Sequence, residues 1–111
     1  MNRINKAACG AACALFLAVA FAPAARGDDA GATLFKQKCA SCHSADGKGD
    51  NSMGKTLKVR DFSSADVQKQ TDAQLTDIIV NGKGKMPSYK GKLTDDQIKQ
   101  VVSFIRSLAK K

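Results

Sequence analysis

Two cysteines separated by only two residues, Cys39 and Cys42, place the narrowest limit on how this chain can fold. They are the only cysteines that follow an apolar N-terminal segment, residues 7–22. A disulfide between them would close a loop too small to stabilise a fold appreciably. The chain from residue 28 onward has about 84 residues, and domains of this size often need a disulfide, a metal or a cofactor. The cysteine pair therefore predicts a bound group rather than a structural crosslink.

The residue after the second cysteine, His43, completes a Cys-x-x-Cys-His pattern and is the single histidine of the sequence. This pattern is typical of the attachment site of c-type haem. Two thiols on one helical turn can form thioethers with both vinyl groups of the porphyrin, and the next residue then lies beneath the iron. We therefore predict one haem c held covalently by Cys39 and Cys42, with His43 as the proximal iron ligand.

Two other functions of closely spaced cysteines fit the sequence less well. A thioredoxin-like redox pair occurs next to a βαβ unit, and no strand pattern is present in this sequence. A structural zinc site requires four ligands, and only Cys39, Cys42 and His43 are obvious candidates.

The second axial iron ligand has two candidates beyond the N-terminal segment, Met53 and Met86. Pro87 stiffens the backbone directly after Met86, and nearby glycines allow that loop to follow a flat ring. Met53 lies only ten residues after His43 and is interpreted as a side chain that fills space near the haem edge. We favour Met86 as the distal ligand.

Residues 1–27 have the pattern of a secretory signal peptide. Arg3 and Lys6 give a positive start, residues 7–22 are apolar, and small residues follow them. The apolar run of 16 residues is short for a membrane-spanning helix, so a retained N-terminal anchor is the second interpretation. We expect this segment to be removed on export to the periplasm, which leaves a single domain over residues 28–111.

The charge of the chain is strongly positive, with 18 basic and 10 acidic residues and a net charge of +8. Removal of Arg3, Lys6 and Arg26 leaves 15 basic residues and a net charge of +5. Such a surface favours acidic protein partners, and it also permits peripheral contact with an anionic membrane. Nucleic acid is not an expected partner, because no aromatic stacking residues alternate with the lysines.

Helical patterns account for most of the domain, and the predicted fold class is all-α with three or four short helices. Thr71 with Gln74, and Thr94 with Gln97, form two capping-box patterns that mark helix starts. The predicted helices cover residues 30–39, 62–70, 71–81 and the segment from 94 to the end, and the predicted glycine-rich connections cover residues 44–60 and 82–92. The whole chain has five phenylalanines, one tyrosine and no tryptophan, so a flat apolar cofactor would supply the missing core.

With the cysteine–histidine motif near its start, Met86-Pro87 late and a final amphipathic helix, the chain resembles a class I cytochrome c. The similarity is greatest to the small soluble bacterial and photosynthetic members of that class. It implies a small cytochrome c fold wrapped around one haem, with the first and last helices crossing at Gly31, Phe35 and Phe104. It also implies the same four haem-binding residues. Larger members have a proline soon after the histidine, and this chain has none before Pro87. The acceptor of the other His43 ring N–H therefore stays open.

Filled axial positions leave no iron site for a substrate, so we expect an electron carrier that cycles between Fe(II) and Fe(III) and is not an enzyme. The expected partners are acidic redox proteins such as a membrane oxidase, reductase or dehydrogenase. A monomer is expected, because no helix has a second apolar face. Lysines near the haem-binding segments could steer such partners; they are Lys36, Lys38, Lys48, Lys83, Lys85, Lys90 and Lys92.

Other functions remain open at this point. If Met86 stays off the iron, the protein is a haem-based ligand sensor or a weak peroxidase. The chain could also be a docked electron-transfer subunit of a dehydrogenase.

The role of Tyr89 is also open. Its hydroxyl could donate to a haem propionate, or its ring could pack against the porphyrin.

Overall fold

A computed structural model of the chain describes residues 27–109, with only the backbone described for Gly27 and Asp28. The predicted signal peptide, residues 1–27, therefore lies outside the described residues apart from the backbone of Gly27. Six helices form within this part of the chain: α1 (Gly27–Lys38), α2 (Ala40–His43), α3 (Ser52–Leu57), α4 (Ala65–Gln68), α5 (Asp72–Asn81) and α6 (Asp95–Ser107).

The prediction of an all-α fold is confirmed. Within residues 27–109 there is no strand, only one isolated bridge between Lys83 and Met86. Among the helices of these residues, none has both the length and the apolar character that a bilayer crossing requires.

The first and last helices, α1 and α6, form the most extensive helix pair and cross as predicted. Gly31 makes the close approach possible, because a β-carbon at this position would lie 2.1 Å from the Gln100 carbonyl oxygen. One turn later, Phe35 is completely buried and its ring centroid lies 5.0 Å from that of Phe104. Helix α5 also packs against α6.

Both predicted capping boxes are present. At the start of α5 the Gln74 amide donates to the Thr71 hydroxyl (3.1 Å), and the Thr71 amide donates to the Gln74 side chain (2.9 Å). At the start of α6, Thr94 and Gln97 make the same two bonds with the same lengths. Each box satisfies two amides that the first helical turn leaves without partners.

Six helices are present where three or four were predicted, and the two additional ones, α2 and α3, are only four and six residues long. Helix α4 lies within the predicted helix 62–70. Helix α3 lies inside residues 44–60, which were predicted to be a loop. Its N-cap is Asn51, whose side chain accepts a bond from the Gly54 amide. Helix α1 also begins at Gly27, before its predicted start at residue 30, so that Asp29 lies within the helix and its carbonyl accepts a bond from the Thr33 hydroxyl.

An arginine on α6 holds the connection between α4 and α5. Arg106 donates to the Gln68 carbonyl (2.8 Å), to the Gln70 carbonyl and to the Asp72 carboxylate (2.8 Å). Gln68 in turn donates to the carbonyl of Ile105 (2.9 Å). These bonds fix the backbone of the connection that contains Gln70.

The hydrophobic core is formed by residues from several helices. The buried hydrophobic residues are Phe35, Val67, Leu75, Ile79, Leu93, Ile98, Val101, Val102 and Ile105.

Candidate functional site

The predicted attachment motif forms a single helical turn. Cys39 is the N-cap of α2, and its carbonyl accepts bonds from the amides of Cys42 (3.2 Å) and His43 (3.0 Å). Both cysteines are free thiols that are partly buried. The turn therefore presents two thiols and one imidazole from a stretch of five residues, Cys39 to His43.

Met86 lies in the loop between α5 and α6, and this loop is fixed at both of its sides. Lys83 and Met86 exchange two backbone bonds across Gly84 and Lys85 (3.2 and 3.0 Å). The Tyr89 amide donates to the carbonyl of Ile79 on α5 (3.0 Å). The loop thus holds the Met86 side chain against the end of α5.

The four predicted residues meet at a cleft made of two adjoining cavities of about 280 and about 220 Å³. Each volume is slightly below the range of about 300–1,000 Å³ that is typical of cofactor pockets, and the two adjoining cavities together offer a larger space. The residues common to both cavities are Cys39, His43, Val59, Lys83 and Met86. Cys42 lines the smaller cavity. Met53, the alternative ligand, lines neither cavity and is 51% exposed.

The larger cavity opens into the hydrophobic core. Six of the nine buried hydrophobic residues described above also line it: Phe35, Val67, Leu75, Ile79, Val101 and Ile105. Its wall is therefore dominated by aliphatic and aromatic carbon, which suits a large flat apolar group.

Two basic residues at this cavity, Lys58 and Arg60, were not among the predicted site residues. Lys58 ends α3 in the left-handed conformation, with φ +55° and ψ +44°, and the chain then passes along the cavity. Because α3 itself was predicted to be a loop, no sequence pattern pointed to these two side chains. Together with Lys83 they give the otherwise apolar wall three cationic groups.

The imidazole of His43 lies between aromatic rings. The Phe62 ring is stacked on it at a centroid distance of 4.5 Å, and the Phe35 centroid lies at 6.4 Å. Burial lowers the pKa of His43 below its ordinary value, so the neutral ring that can bind a metal is favoured. Its buried Nδ1 has no hydrogen-bond partner among residues 27–109.

Burial also affects the cysteines. Desolvation, with a smaller contribution from Cys42, raises the pKa of the Cys39 thiol to about 11. The Cys39 thiol is thus held protonated at neutral pH in the absence of an attached group. Within residues 27–109 no group of three or more His, Cys, Asp or Glu side chains is arranged to hold a metal ion.

The hydroxyl of Tyr89 has a backbone partner in place of the predicted haem propionate, and its ring remains at the cleft. Its hydroxyl donates to the carbonyl of Lys38 at the end of α1 (2.7 Å). The side chain also lines the smaller cavity. Tyr89 therefore ties the Met86 loop to the residue that precedes Cys39.

These residues fit a covalently attached haem. Two free thiols, an imidazole with an unpaired buried nitrogen and a methionine thioether surround one apolar cleft. Thiols supply the atoms for thioether bonds, and imidazole and thioether are the neutral axial ligands of cytochromes c.

Comparison with known proteins identifies the family. Residues 26–105 match the family described as cytochrome c oxidase, cbb3-type, subunit III. Cytochrome c6 of Leptolyngbya boryana is 39% identical over 82 residues, which cover 74% of this chain and 93% of that protein. Cytochrome c6 of a Nostoc species is 38% identical over 95 residues, which cover 83% of this chain and 81% of that protein.

A solved structure agrees with these relatives. The KustC0563 c-type cytochrome superimposes with a TM-score of 0.67 at 33% sequence identity, over 72% of this chain and 98% of that one. Family, relatives and fold thus point to the same class of protein. The chain belongs to the class I c-type cytochromes, and it is an electron-transfer protein with covalently bound haem c.

Proposed function

We propose that Cys39 and Cys42 form the two thioethers to haem c, and that His43 and Met86 are its axial iron ligands. The observation that carries this proposal is that His43 and Met86 line the same two cavities as Cys39. Met53, by contrast, lies outside both cavities with half of its surface exposed. When bound, the haem supplies a one-electron couple between Fe(II) and Fe(III).

The protein contributes ligands and surroundings that favour electron transfer over substrate chemistry. The thioether of Met86 is a soft neutral donor, which stabilises the ferrous state and raises the reduction potential. The aliphatic wall formed by residues such as Leu75, Ile79 and Val101 keeps water away from the cofactor, and this also favours the less charged reduced state. Because both axial positions are filled, no iron position is left for a substrate.

The proposed partners are acidic redox proteins. Seven lysines predicted to steer them are all exposed: Lys36, Lys38, Lys48, Lys83, Lys85, Lys90 and Lys92. Of these, Lys83 and Lys85 line the smaller cavity beside Cys42, where an electron would have the shortest path to the surface. The matching family is described as an oxidase subunit, which supports a membrane oxidase among the candidate partners.

We further propose that residues 1–27 direct the chain to the periplasm and are then removed. The support is the charged, apolar and small-residue order of that segment. Mass measurement of the purified holoprotein tests this directly. A mass that corresponds to a start near residue 28 plus one haem supports removal, whereas a full-length mass in the membrane fraction contradicts it.

The test of the ligand assignment compares Met86→Ala with Met53→Ala. The full chain is expressed in a host that matures c-type cytochromes, and absorption spectra are recorded in both oxidation states. We expect the far-red sulfur-to-iron band of the oxidised protein in the parent and in Met53→Ala, and its loss in Met86→Ala. Loss of the band in Met53→Ala alone would contradict the assignment.

Carbon monoxide provides a second readout of the same assignment. The reduced parent should not bind it tightly, because Met86 occupies the iron, whereas reduced Met86→Ala should bind it. Tight binding by the parent would instead support a ligand sensor or a weak peroxidase.

A further inference from the structure

Helix α2, which carries Cys42 and the proposed proximal ligand His43, is too short to be stable by itself. Helix α2 has four residues, and its N-cap Cys39 makes no side-chain capping bond in the described part of the chain. Isolated helical segments of this length are unstable in water, since nucleation is costly. The carbonyls of the last helical turn also need hydrogen-bond donors from outside the helix. Contacts from elsewhere must therefore fix this turn.

Those contacts come from the segment 49–54, which we call the retaining segment. The carbonyl of His43 accepts a bond from the Gly49 amide (2.9 Å). Gly54 packs so closely that a β-carbon there would lie 2.7 Å from the Cys42 carbonyl oxygen. The retaining segment thus contacts the backbone of both residues at the end of the motif.

Asn51 makes the central contact of the retaining segment. Its Nδ2 donates to the carbonyls of Ala40 and Ser41, each at 3.1 Å. These are the two residues that lie between the cysteines. Its Oδ1 accepts from the Gly54 amide at 2.7 Å and so caps α3. One side chain therefore joins the haem-attachment turn to the following helix.

The chemistry of these three bonds favours asparagine over other capping residues. A carboxamide has one acceptor oxygen and two N–H donors, so it can cap α3 and serve two carbonyls at once. Aspartate at this position would keep the cap but place a negative oxygen beside the Ala40 and Ser41 carbonyls. Serine is also a good N-cap, but it has a single O–H donor and a shorter reach.

We propose that Asn51 is a positioning residue that sets the orientation of the His43 imidazole towards the haem iron by fixing the backbone of α2. The inference rests on the proposed function, because it assumes that His43 is the proximal ligand. Asn51 itself does not line either cavity. Its effect on the iron is therefore transmitted through the carbonyls of Ala40 and Ser41.

The test uses the oxidised holoprotein with Asn51→Ser and Asn51→Asp, and Thr94→Ala as the control. Asn51→Ser keeps an acceptor for the Gly54 amide and removes the paired donors. Thr94→Ala removes the cap of α6 and does not touch the attachment motif. The readout is the set of hyperfine-shifted proton resonances of the haem methyls, which report the plane of the axial imidazole, together with Tm.

We expect Thr94→Ala to lower Tm without changing the pattern of methyl shifts. Asn51→Ser should change the order or the spread of these shifts, and Asn51→Asp should change them further or lower the yield of haem-containing protein. If Asn51→Ser lowers Tm and leaves the shifts as in the parent, Asn51 only supports the fold and the inference is overturned. If the parent itself lacks the resonances of a bound methionine, the proposed ligation fails instead.

Discussion

Gly31 and Gln100 are in backbone contact across the α1–α6 crossing, since a β-carbon on Gly31 would lie only 2.1 Å from the Gln100 carbonyl oxygen and 2.8 Å from its carbonyl carbon. The neighbouring Phe104 β-carbon would lie at 3.1 Å from the same point. The obstacle is mostly backbone rather than a flexible side chain. The two helices therefore have to separate if residue 31 carries any side chain.

Gly31→Ala should destabilise the protein although alanine is the better helix former. Helix propensity alone would contribute about 1 kcal/mol of stabilisation. Forcing the crossing apart should outweigh it, with a net loss of about 1–3 kcal/mol. Thermal unfolding of the holoprotein measures the change as a decrease in Tm. Gln37→Ala, at an exposed position of the same helix, should leave Tm nearly unchanged, and an unchanged Tm in Gly31→Ala would refute the prediction.

Tyr89→Phe removes the hydroxyl that donates to the Lys38 carbonyl. We expect a loss of about 0.5–1.5 kcal/mol in the free energy of unfolding, because the Met86 loop loses one attachment to the end of α1. The reduction potential should remain that of the parent, since this hydroxyl is engaged with the backbone and not with a haem propionate. A shifted potential with unchanged stability would favour the propionate contact instead.

The carboxylate of Asp46 gives the stability of the protein an acid-dependent component. The Ser44 hydroxyl (2.7 Å) and then the Lys48 amide (3.0 Å) donate to it, and these bonds lower the pKa of Asp46 below its ordinary value of 3.8. The folded state thus favours the ionised form. Its stabilising effect is present above pH 3.8 and is lost as the pH falls through the lower folded pKa.

Asp46→Asn is therefore expected to lower Tm at neutral pH and to differ less from the parent as the solution is acidified below about pH 4. Tm measured from pH 7 to pH 3 follows this convergence. In a Ser44→Ala background the same substitution should show a smaller pH-dependent difference, because the main cause of the lowered pKa is absent. A difference in Tm that is constant with pH would show that the charge of Asp46 has no such role.

Charge reversal at the edge of the smaller cavity should slow electron exchange with an acidic partner. Lys83→Glu and Lys85→Glu are each expected to reduce the second-order rate constant several-fold at low ionic strength. Added salt should shrink the difference. Stopped-flow mixing with an acidic redox protein gives the rate.

Lys99→Glu is the matched control for this experiment. It makes the same change in net charge at an exposed position of α6 that lines neither cavity. It should alter the rate much less. Equal effects of all three substitutions would show that net charge, rather than the site, governs the encounter.

The helices that could be predicted from the sequence are those whose starts are encoded locally. The capping boxes at Thr71 and Thr94 each lie within four residues and are present as expected. Helix α3 was missed although its cap bond from Gly54 to Asn51 is local, because the bonds that also hold the Asn51 side chain go to Ala40 and Ser41, ten or more residues earlier. Such a contact leaves no periodic pattern in the sequence.

The residues of the site differ in the same way: some can be predicted from the local sequence, and some contacts are visible only in the folded structure. Cys39, Cys42 and His43 were predicted from their spacing along the chain and Met86 from the glycines and proline around it, and all four line the cleft. The bond from Tyr89 to Lys38 joins residues that are 51 positions apart. Only the folded arrangement of α1 against the Met86 loop makes it visible.

The overlap between the hydrophobic core and the larger cavity has a thermodynamic consequence. Phe35, Leu75, Ile79 and Val101 belong to both, so a group bound in the proposed haem cavity would contact the folded core directly. A dissociable ligand stabilises a fold only in proportion to its free concentration relative to its Kd. A covalently attached group is exempt from that dependence, and its stabilising effect therefore persists at any dilution of the protein.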